Sequence, residues 1–453
     1  MIATVPPSAP ALSPLSGAFP VMDACAVPVA GVQQKTIVVI GNGMVGLRFC
    51  EKLITTDVER RFKIVAFCEE PRAAYDRVGL TSFFAHRDAE KWLLAKKGWY
   101  EEHGVELHVG DRAHLIDRER KVVKSRRGCE VAYDTLVLAT GSFPFVPPVP
   151  GVEKQGVFVY RTMEDLERMI AYAKGVKSCA VIGGGLLGLE AAKVVYDLGL
   201  ETHVLEDNPR LMPQQIDDVG SKTLVKKIEA LGVRVHLNRG TKEIHGNGKV
   251  EAVELSDGSR LEVGMIVIST GIRPRDELAK QSGLELGARG GIAVNDLMQT
   301  SDPHVYAIGE CATHAGMTYG LVAPGYEMAE TLASVLTGGE QRFPGADMST
   351  KLRLMGIDVA SFGQVVLPTD KGIELTFEDP GHGNYKKLIL SPDGKRLLGG
   401  ILVGDTSEYG ELSILAKSGT PIPCEPHELI DENSGGRVIV AGADSRADSA
   451  QIC

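Results

Sequence analysis

The chain has 453 residues, with 49 Lys and Arg against 59 Asp and Glu for a formal charge of −10, 43% apolar residues, 52 glycines and 8 cysteines. At ~150 residues per domain this length carries roughly three domains, and the ordinary apolar and charged fractions exclude wholesale disorder, a collagen repeat and a disulfide scaffold. The negative charge argues against a nucleic-acid partner, which needs clustered Lys and Arg, and no apolar run nears the ~20 residues that span a bilayer.

Residues 1–34 are rich in Pro, Ala and Ser and hold no Lys or Arg, so a disordered tail is expected there rather than a leader. Next comes KTIVVIGNGMVGLRFCEKL (35–53): an apolar strand, the turn Gly41-Asn42-Gly43-Met44-Val45-Gly46, then an amphipathic helix. Gly41, Gly43 and Gly46 permit a tight turn, close approach of backbone N–H groups to a pyrophosphate, and close helix–strand packing. Glu69, at the end of the following strand, is the candidate acceptor for a ribose diol, with Glu70 as its reserve. Asp134 to Gly141 reads as a buried strand entering a tight turn, and Pro144 to Pro150 as a joint.

The opening pattern then returns as KSCAVIGGGLLGLEAAKVV (177–195), an internal repeat that implies two nucleotide sites. Gly183, Gly185 and Gly188 form its turn, and Glu206 is its ribose acid. A carboxylate there repels a 2′-phosphate, so NADH is expected over NADPH. Glu190 follows Gly188, where it either reaches a nicotinamide amide or caps the helix dipole. Met265 to Gly271 (MIVISTG) repeats the earlier strand and turn. Thr300 to Glu310 then gives a Thr, an intervening loop, and a hydrophobic strand ending in Gly309-Glu310. Beyond Pro344 the pattern changes to hairpins, with Pro392-Asp393-Gly394 as a turn between apolar strands, and 431–453 reads as a polar linker.

Both fingerprints, both strand-to-turn elements and the late Gly-acid pair, in this order, resemble the two-dinucleotide-binding flavoproteins of pyridine nucleotide-disulfide reductase fold. The resemblance implies an α/β chain with two Rossmann-like dinucleotide-binding domains, FAD/NAD(P)-binding and glutathione-reductase-like, plus a C-terminal α+β interface domain. The FAD-binding domain would be discontinuous (35–150 and 275–343), the NAD-binding domain would span 151–274 and the interface domain 344–430. It places FAD on Gly41, Gly43, Gly46, Glu69, Thr140, Gly141, Gly309 and Glu310, and NADH on Gly183, Gly185, Gly188, Glu190, Glu206 and Gly271. The late acid is Glu310 where the family more often has Asp. Members with redox-active cysteines carry one soon after the ribose acid; between Glu69 and Gly128 this chain has none, so disulfide chemistry is not expected. Tyr75-Asp76-Arg77 through Thr81 instead resembles the cysteine-free electron-transfer reductases, which makes Arg77 a candidate for the FAD pyrophosphate.

A closer resemblance is to the N-terminal part of the large subunit of assimilatory NADH-dependent nitrite reductases, through CEEPRAAYDRVGLT (68–81), LMPQQID (211–217), IGECA (308–312), YGLVAPGYEMA (319–329) and LVGDTSEYG (402–410). It implies hydride transfer from NADH to FAD, then single electrons to an iron–sulfur or sirohaem acceptor, in the cytoplasm, with a homodimer possible and no membrane partner. Flavin-proximal candidates are Thr81, Cys311 and Pro324, the last in a loop (319–326) at the isoalloxazine edge. In that family a small iron–sulfur module opens with a segment like Asp448 to Cys453, so a fragment of a longer polypeptide, or a reductase left alone by a coding break, is expected. Cys311 and His314 form a CxxH without a second ligand pair, so no metal is expected within this chain. Two other readings stay open: a stand-alone rubredoxin or ferredoxin reductase, and a flavin-binding interaction protein with vestigial turnover.

Overall fold

The computed structural model describes residues 34–81, 89–366, 372–430 and 437–442. The expected tail, apart from Gln34, and the segment 443–453 lie outside the described residues. Two five-stranded parallel sheets form the body. The first runs Val305–Ala307, Thr135–Leu138, Lys35–Ile40, Phe62–Cys68, Val105–Val109; the second runs Arg234–His236, Glu201–Leu205, Ser178–Ile182, Met265–Ile268, Val157–Val159. Strands such as Ile37-Val38-Val39-Ile40 and Met265-Ile266-Val267-Ile268 are buried along their whole apolar run, as parallel sheets covered on both faces require. Each opening strand feeds a helix, Met44–Thr56 in one unit and Leu186–Asp197 in the other.

The repeat extends further than the sequence motifs alone indicate. Each unit carries a three-stranded antiparallel sheet before its last-repeated strand: Ala113–Asp117, Val122–Ser125, Glu130–Ala132 in the first, and Thr241–His245, Ala252–Leu255, Arg260–Glu262 in the second. Ser142–Pro144 then pairs antiparallel with Ile272–Pro274, so the two chain passages between the units form one ribbon.

The third domain is a six-stranded antiparallel sheet ordered Thr350–Leu354, Ile357–Gly363, Leu397–Gly404, Asn384–Leu390, Ile373–Asp379, Arg437–Gly442, with the helix Tyr409–Ser418 against it. Its central hairpin turns at Pro392-Asp393-Gly394: Gly394 has φ +70° and donates its amide to Ser391 O at 2.8 Å, while Asp393 Oδ1 accepts from Ser391 Oγ and the Lys395 amide. One expectation is corrected here. Part of the supposed linker, Arg437–Gly442, pairs with Ile373–Asp379 as an edge strand. Its β-branched Val438-Ile439-Val440 run suits a strand, and the polar residues on either side masked that signal.

The hydrophobic core of the second unit continues into this third domain, joining Leu224 and Ile228 to Tyr385, Ile401 and Val403, and reaches Tyr75 and Leu80 of the first unit. The helix Asp218–Ala230 supplies the seam, burying Leu224 and Ile228 at helical spacing. The three domains therefore meet around the second unit, with both glycine turns held on buried strands.

Candidate functional site

The two turns are built alike. In the first, Gly41 has φ +110° and a Cβ there would lie 2.2 Å from Ala139 O; at Gly46 it would lie 2.0 Å from Gly41 O; at Gly43 nothing stands within 4 Å. In the second, the corresponding distances are 2.2 Å from Gly183 to Ser269 O and 1.9 Å from Gly188 to Gly183 O, and Gly185 is again open. The outer glycines are thus required by backbone packing, and the middle ones leave a surface a ligand can approach. Gly43 and Gly185 are the N-caps of their helices; neither helix has a side-chain cap or an acid in its first turn. Their first N–H groups are left for an external acceptor, which fits a dinucleotide pyrophosphate.

The two ribose candidates differ. Glu206 is buried, its Oε2 accepting the Gly184 amide at 2.6 Å and its Oε1 accepting the amide (2.8 Å) and side chain (2.6 Å) of Asn208. Glu69 is exposed and ion-paired with Arg112 at 3.2 Å and with Arg275. The register explains the contrast. Ile40 pairs with Phe67 as Ile182 pairs with Leu205, so the residue matching Glu206 is Cys68, and Glu69 stands one position further out. Glu70 turns the other way, accepting from Tyr75 Oη at 2.8 Å and Arg77 at 2.6 Å. Burial opposes its ionisation, but the Arg77 charge and the two hydrogen bonds outweigh burial and hold the carboxyl below its ordinary value.

Arg77 also donates to Arg161 O at 2.7 Å and lies over the Tyr75 ring. Arg161 in turn donates to Glu310 Oε2 at 2.6 Å, which also accepts from Ser142 Oγ at 2.8 Å. The late Gly-acid pair is thereby brought together with the interdomain ribbon and with the Arg77 loop. Gly309 and Gly325 both close on Val45: a Cβ on Gly325 would stand 2.6 Å from Val45 Cγ2. Pro324 is buried in the first turn of the helix Val322–Leu336, where proline forfeits no intrahelical bond. Thr140 donates to Arg275 O at 2.6 Å, and Gly141 (φ +69°) and Gly271 (φ +107°) occupy matching open turns. Thr81 Oγ1 lies 3.1 Å from Tyr160 Oη.

Sequence reading missed Ser142, Tyr160 and Arg161. The available signal was positional: Tyr160 and Arg161 leave the carboxyl end of the parallel strand Val157–Val159, the edge where open α/β sheets bind ligands. The CxxH pair does not converge. Fully buried Cys311 donates to the carbonyls of Leu138 and Ile308, burial pushes its thiol pKa up, and His314 Nε2 contacts Asp296 at 2.9 Å. Among the described residues one group has metal-ligand spacing, Glu243, His245 and Glu254, and Lys242 already holds Glu254 at 2.6 Å.

Glu190 lies a full turn inside its helix, beyond the reach of the N-terminal dipole, which weakens with the first turn. Burial raises its pKa from the ordinary carboxylate range to about 7. A carboxyl whose folded pKa is raised binds more protons folded than unfolded, so stability falls as pH climbs from the ordinary value through about 7. Glu190→Gln is therefore expected to stabilise the chain at pH 8, by ~2–3 kcal/mol at most, and to change little at pH 4. Urea midpoints at the two pH values check this; an equal shift at both would refute it.

Two matching glycine turns on two parallel sheets, with a ribbon paired between the units and a late Gly-acid pair hydrogen-bonded to it, are the architecture of a two-dinucleotide oxidoreductase. Residues 35–333 match the family model of pyridine nucleotide-disulphide oxidoreductases, and residues 349–420 match the rubredoxin NAD+ reductase C-terminal domain. The chain belongs to the pyridine nucleotide-disulphide oxidoreductase family. It is 49% identical over 421 residues to the nitrite reductase (NADH) large subunit of Escherichia coli (strain K12), covering 92% of this chain and 50% of that protein. It is 47% identical over 418 residues to the nitrite reductase [NAD(P)H] large subunit of Klebsiella oxytoca, covering 92% and 44%. The chain thus spans about half the length of these curated relatives. Among solved structures it is similar to an NAD-dependent persulfide reductase from A. fulgidus, with TM-score 0.78 and 25% identity over 85% of this chain and 77% of that one. No helix among the described residues is long and apolar enough to cross a membrane.

Proposed function

We propose that this chain is the reductase module of an NADH-dependent nitrite reductase: FAD on the first unit, NADH on the second, and an iron–sulfur or sirohaem acceptor elsewhere at which nitrite becomes ammonia. The observation that carries this reading is the pair of equivalent, uncapped helix N-termini at Gly43 and Gly185, in a chain 49% identical to such a subunit. When bound, FAD supplies the conversion of a two-electron donor into single electrons.

The chain's residues supply binding and orientation. Gly43 and Gly185 admit the pyrophosphates, and the outer glycines hold each helix against its sheet. Glu206 presents acceptor oxygens to a ribose diol and opposes a 2′-phosphate. Glu69 and Arg275 border the first unit's adenosine side. Arg77, Arg161, Ser142 and Glu310 form a charge-compensated polar wall for the flavin chain, and Thr81 and Tyr160 stand where the two units approach. Cys311 acts as a small buried side chain. Hydride transfer needs no general base from the protein, only water exclusion and alignment.

The test is anaerobic mixing of FAD-loaded protein with NADH in a stopped-flow spectrometer. The yellow flavin absorbance should bleach within seconds and recover on adding an iron–sulfur protein acceptor. A chain that never holds FAD, or that holds it and does not bleach, overturns the reading. The match of 349–420 to a rubredoxin NAD+ reductase domain favours one alternative, a rubredoxin reductase, marked by faster reoxidation with rubredoxin.

A further inference from the structure

The segment Leu211 to Asp217 joins the second nucleotide turn to the C-terminal domain. At one end, the Met212 amide donates to Gly184 O at 3.0 Å, and a Cβ on Gly184 would stand 2.5 Å from Leu211 Cδ2. Gly184 is the residue whose amide holds Glu206. Met212 itself is fully buried at φ +47°, a left-handed conformation that a non-glycine residue keeps only when its surroundings impose it. Gln215 and Ile216 donate their amides to Met212 O, and the Leu211 amide donates to Ser221 Oγ at 2.8 Å.

At the other end, Asp217 caps the helix Asp218–Ala230 through Oδ1, which accepts the Gly220 amide at 2.9 Å. Its Oδ2 accepts from Tyr385 Oη at 2.7 Å and lies 3.4 Å from Lys387 Nζ, which also pairs with Glu374 at 2.9 Å. Tyr385 and Lys387 are buried side chains on one face of the strand Asn384–Leu390. Lys386, between them, points to the opposite face and pairs with Glu408.

We propose that Tyr385 and Lys387 are positioning residues for NADH: by fixing Asp217 they hold the 211–217 segment, and through Met212 and Gly184 they keep Glu206 set for the ribose, without touching the nucleotide. This inference rests on the assignment of NADH to the second unit. The C-terminal domain then tunes pyridine-nucleotide affinity and leaves the rate at saturation alone.

The test uses the full FAD-loaded chain and two readouts, equilibrium binding of ADP-ribose and NADH-dependent flavin reduction. Loss of a hydrogen bond to a carboxylate predicts an ADP-ribose Kd and an NADH KM about fivefold higher in Tyr385→Phe, and about twentyfold higher with Lys387→Met added. The saturating reduction rate should stay within about twofold of the parent. Lys386→Met, on the opposite face of the same strand, should lower Tm while leaving both constants unchanged. A Tyr385→Phe chain that binds ADP-ribose like the parent, or Lys386→Met weakening it equally, would overturn the inference while the NADH assignment stands. A parent chain that binds no ADP-ribose would overturn both.

Discussion

Gly188→Ala should remove NADH-driven flavin bleaching while the protein stays yellow. The added Cβ would lie 1.9 Å from Gly183 O and 2.8 Å from Gly183 C, both backbone atoms that no rotamer change can move aside. The helix Leu186–Asp197 would have to back away from its sheet by more than an ångström, carrying its N-terminus from the pyrophosphate. Overpacking costs of order 1–3 kcal/mol, and misplacement of about 1 Å costs ~100-fold in rate. The bleaching rate at a fixed NADH concentration should therefore fall at least ~100-fold, with FAD content unchanged because the first unit has its own core. Gly46→Ala makes the complementary prediction, a colourless chain, since its Cβ would lie 2.0 Å from Gly41 O. Gly185→Ala is the internal control for fold. Its Cβ meets nothing within 4 Å, so Tm should hold while NADH affinity weakens through the ligand's own clash. Normal bleaching by Gly188→Ala would show that the turn is no nucleotide cradle.

The same geometry indicates what could be read from the sequence. The glycine turns were legible because each outer glycine answers a local requirement, a helix pressed on its own strand, and local requirements leave residue types at fixed spacing. The double parallel fold followed from the repetition of that unit. The three-stranded insertions were not legible, because strands such as Arg260–Glu262 are short, exposed at both ends and without an apolar run. Arg161 was invisible for another reason: its partner Glu310 lies 149 residues away, and nothing in VYRT announces an ion pair with a strand end in another unit. Glu69 and Glu206 looked interchangeable on the page. Glu69 stands one position further beyond its strand than Glu206 does, and the alignment that shows this is a property of the assembled ladders.

Arg161→Met is expected to destabilise the chain more than any exposed ion-pair change. Arg161 and Glu310 are only 17% and 20% exposed at their side chains, and their 2.6 Å contact links the second unit's edge strand to the first unit's Gly-acid turn. Removing the arginine leaves a carboxylate with Ser142 as its direct donor, and stranding one half of a buried pair costs about 3–5 kcal/mol. Arg77, whose guanidinium already feels the Glu310 charge, offsets part of this, which places the expectation near the lower end, ~3 kcal/mol. Replacing both partners, Arg161→Met with Glu310→Gln, removes the stranded charge and should restore more than half of the loss. Urea unfolding of the FAD-free chain measures these differences without a contribution from the ligand. A single variant within about 1 kcal/mol of the parent would place this pair in the class of weak surface contacts, with no share in holding the two units together.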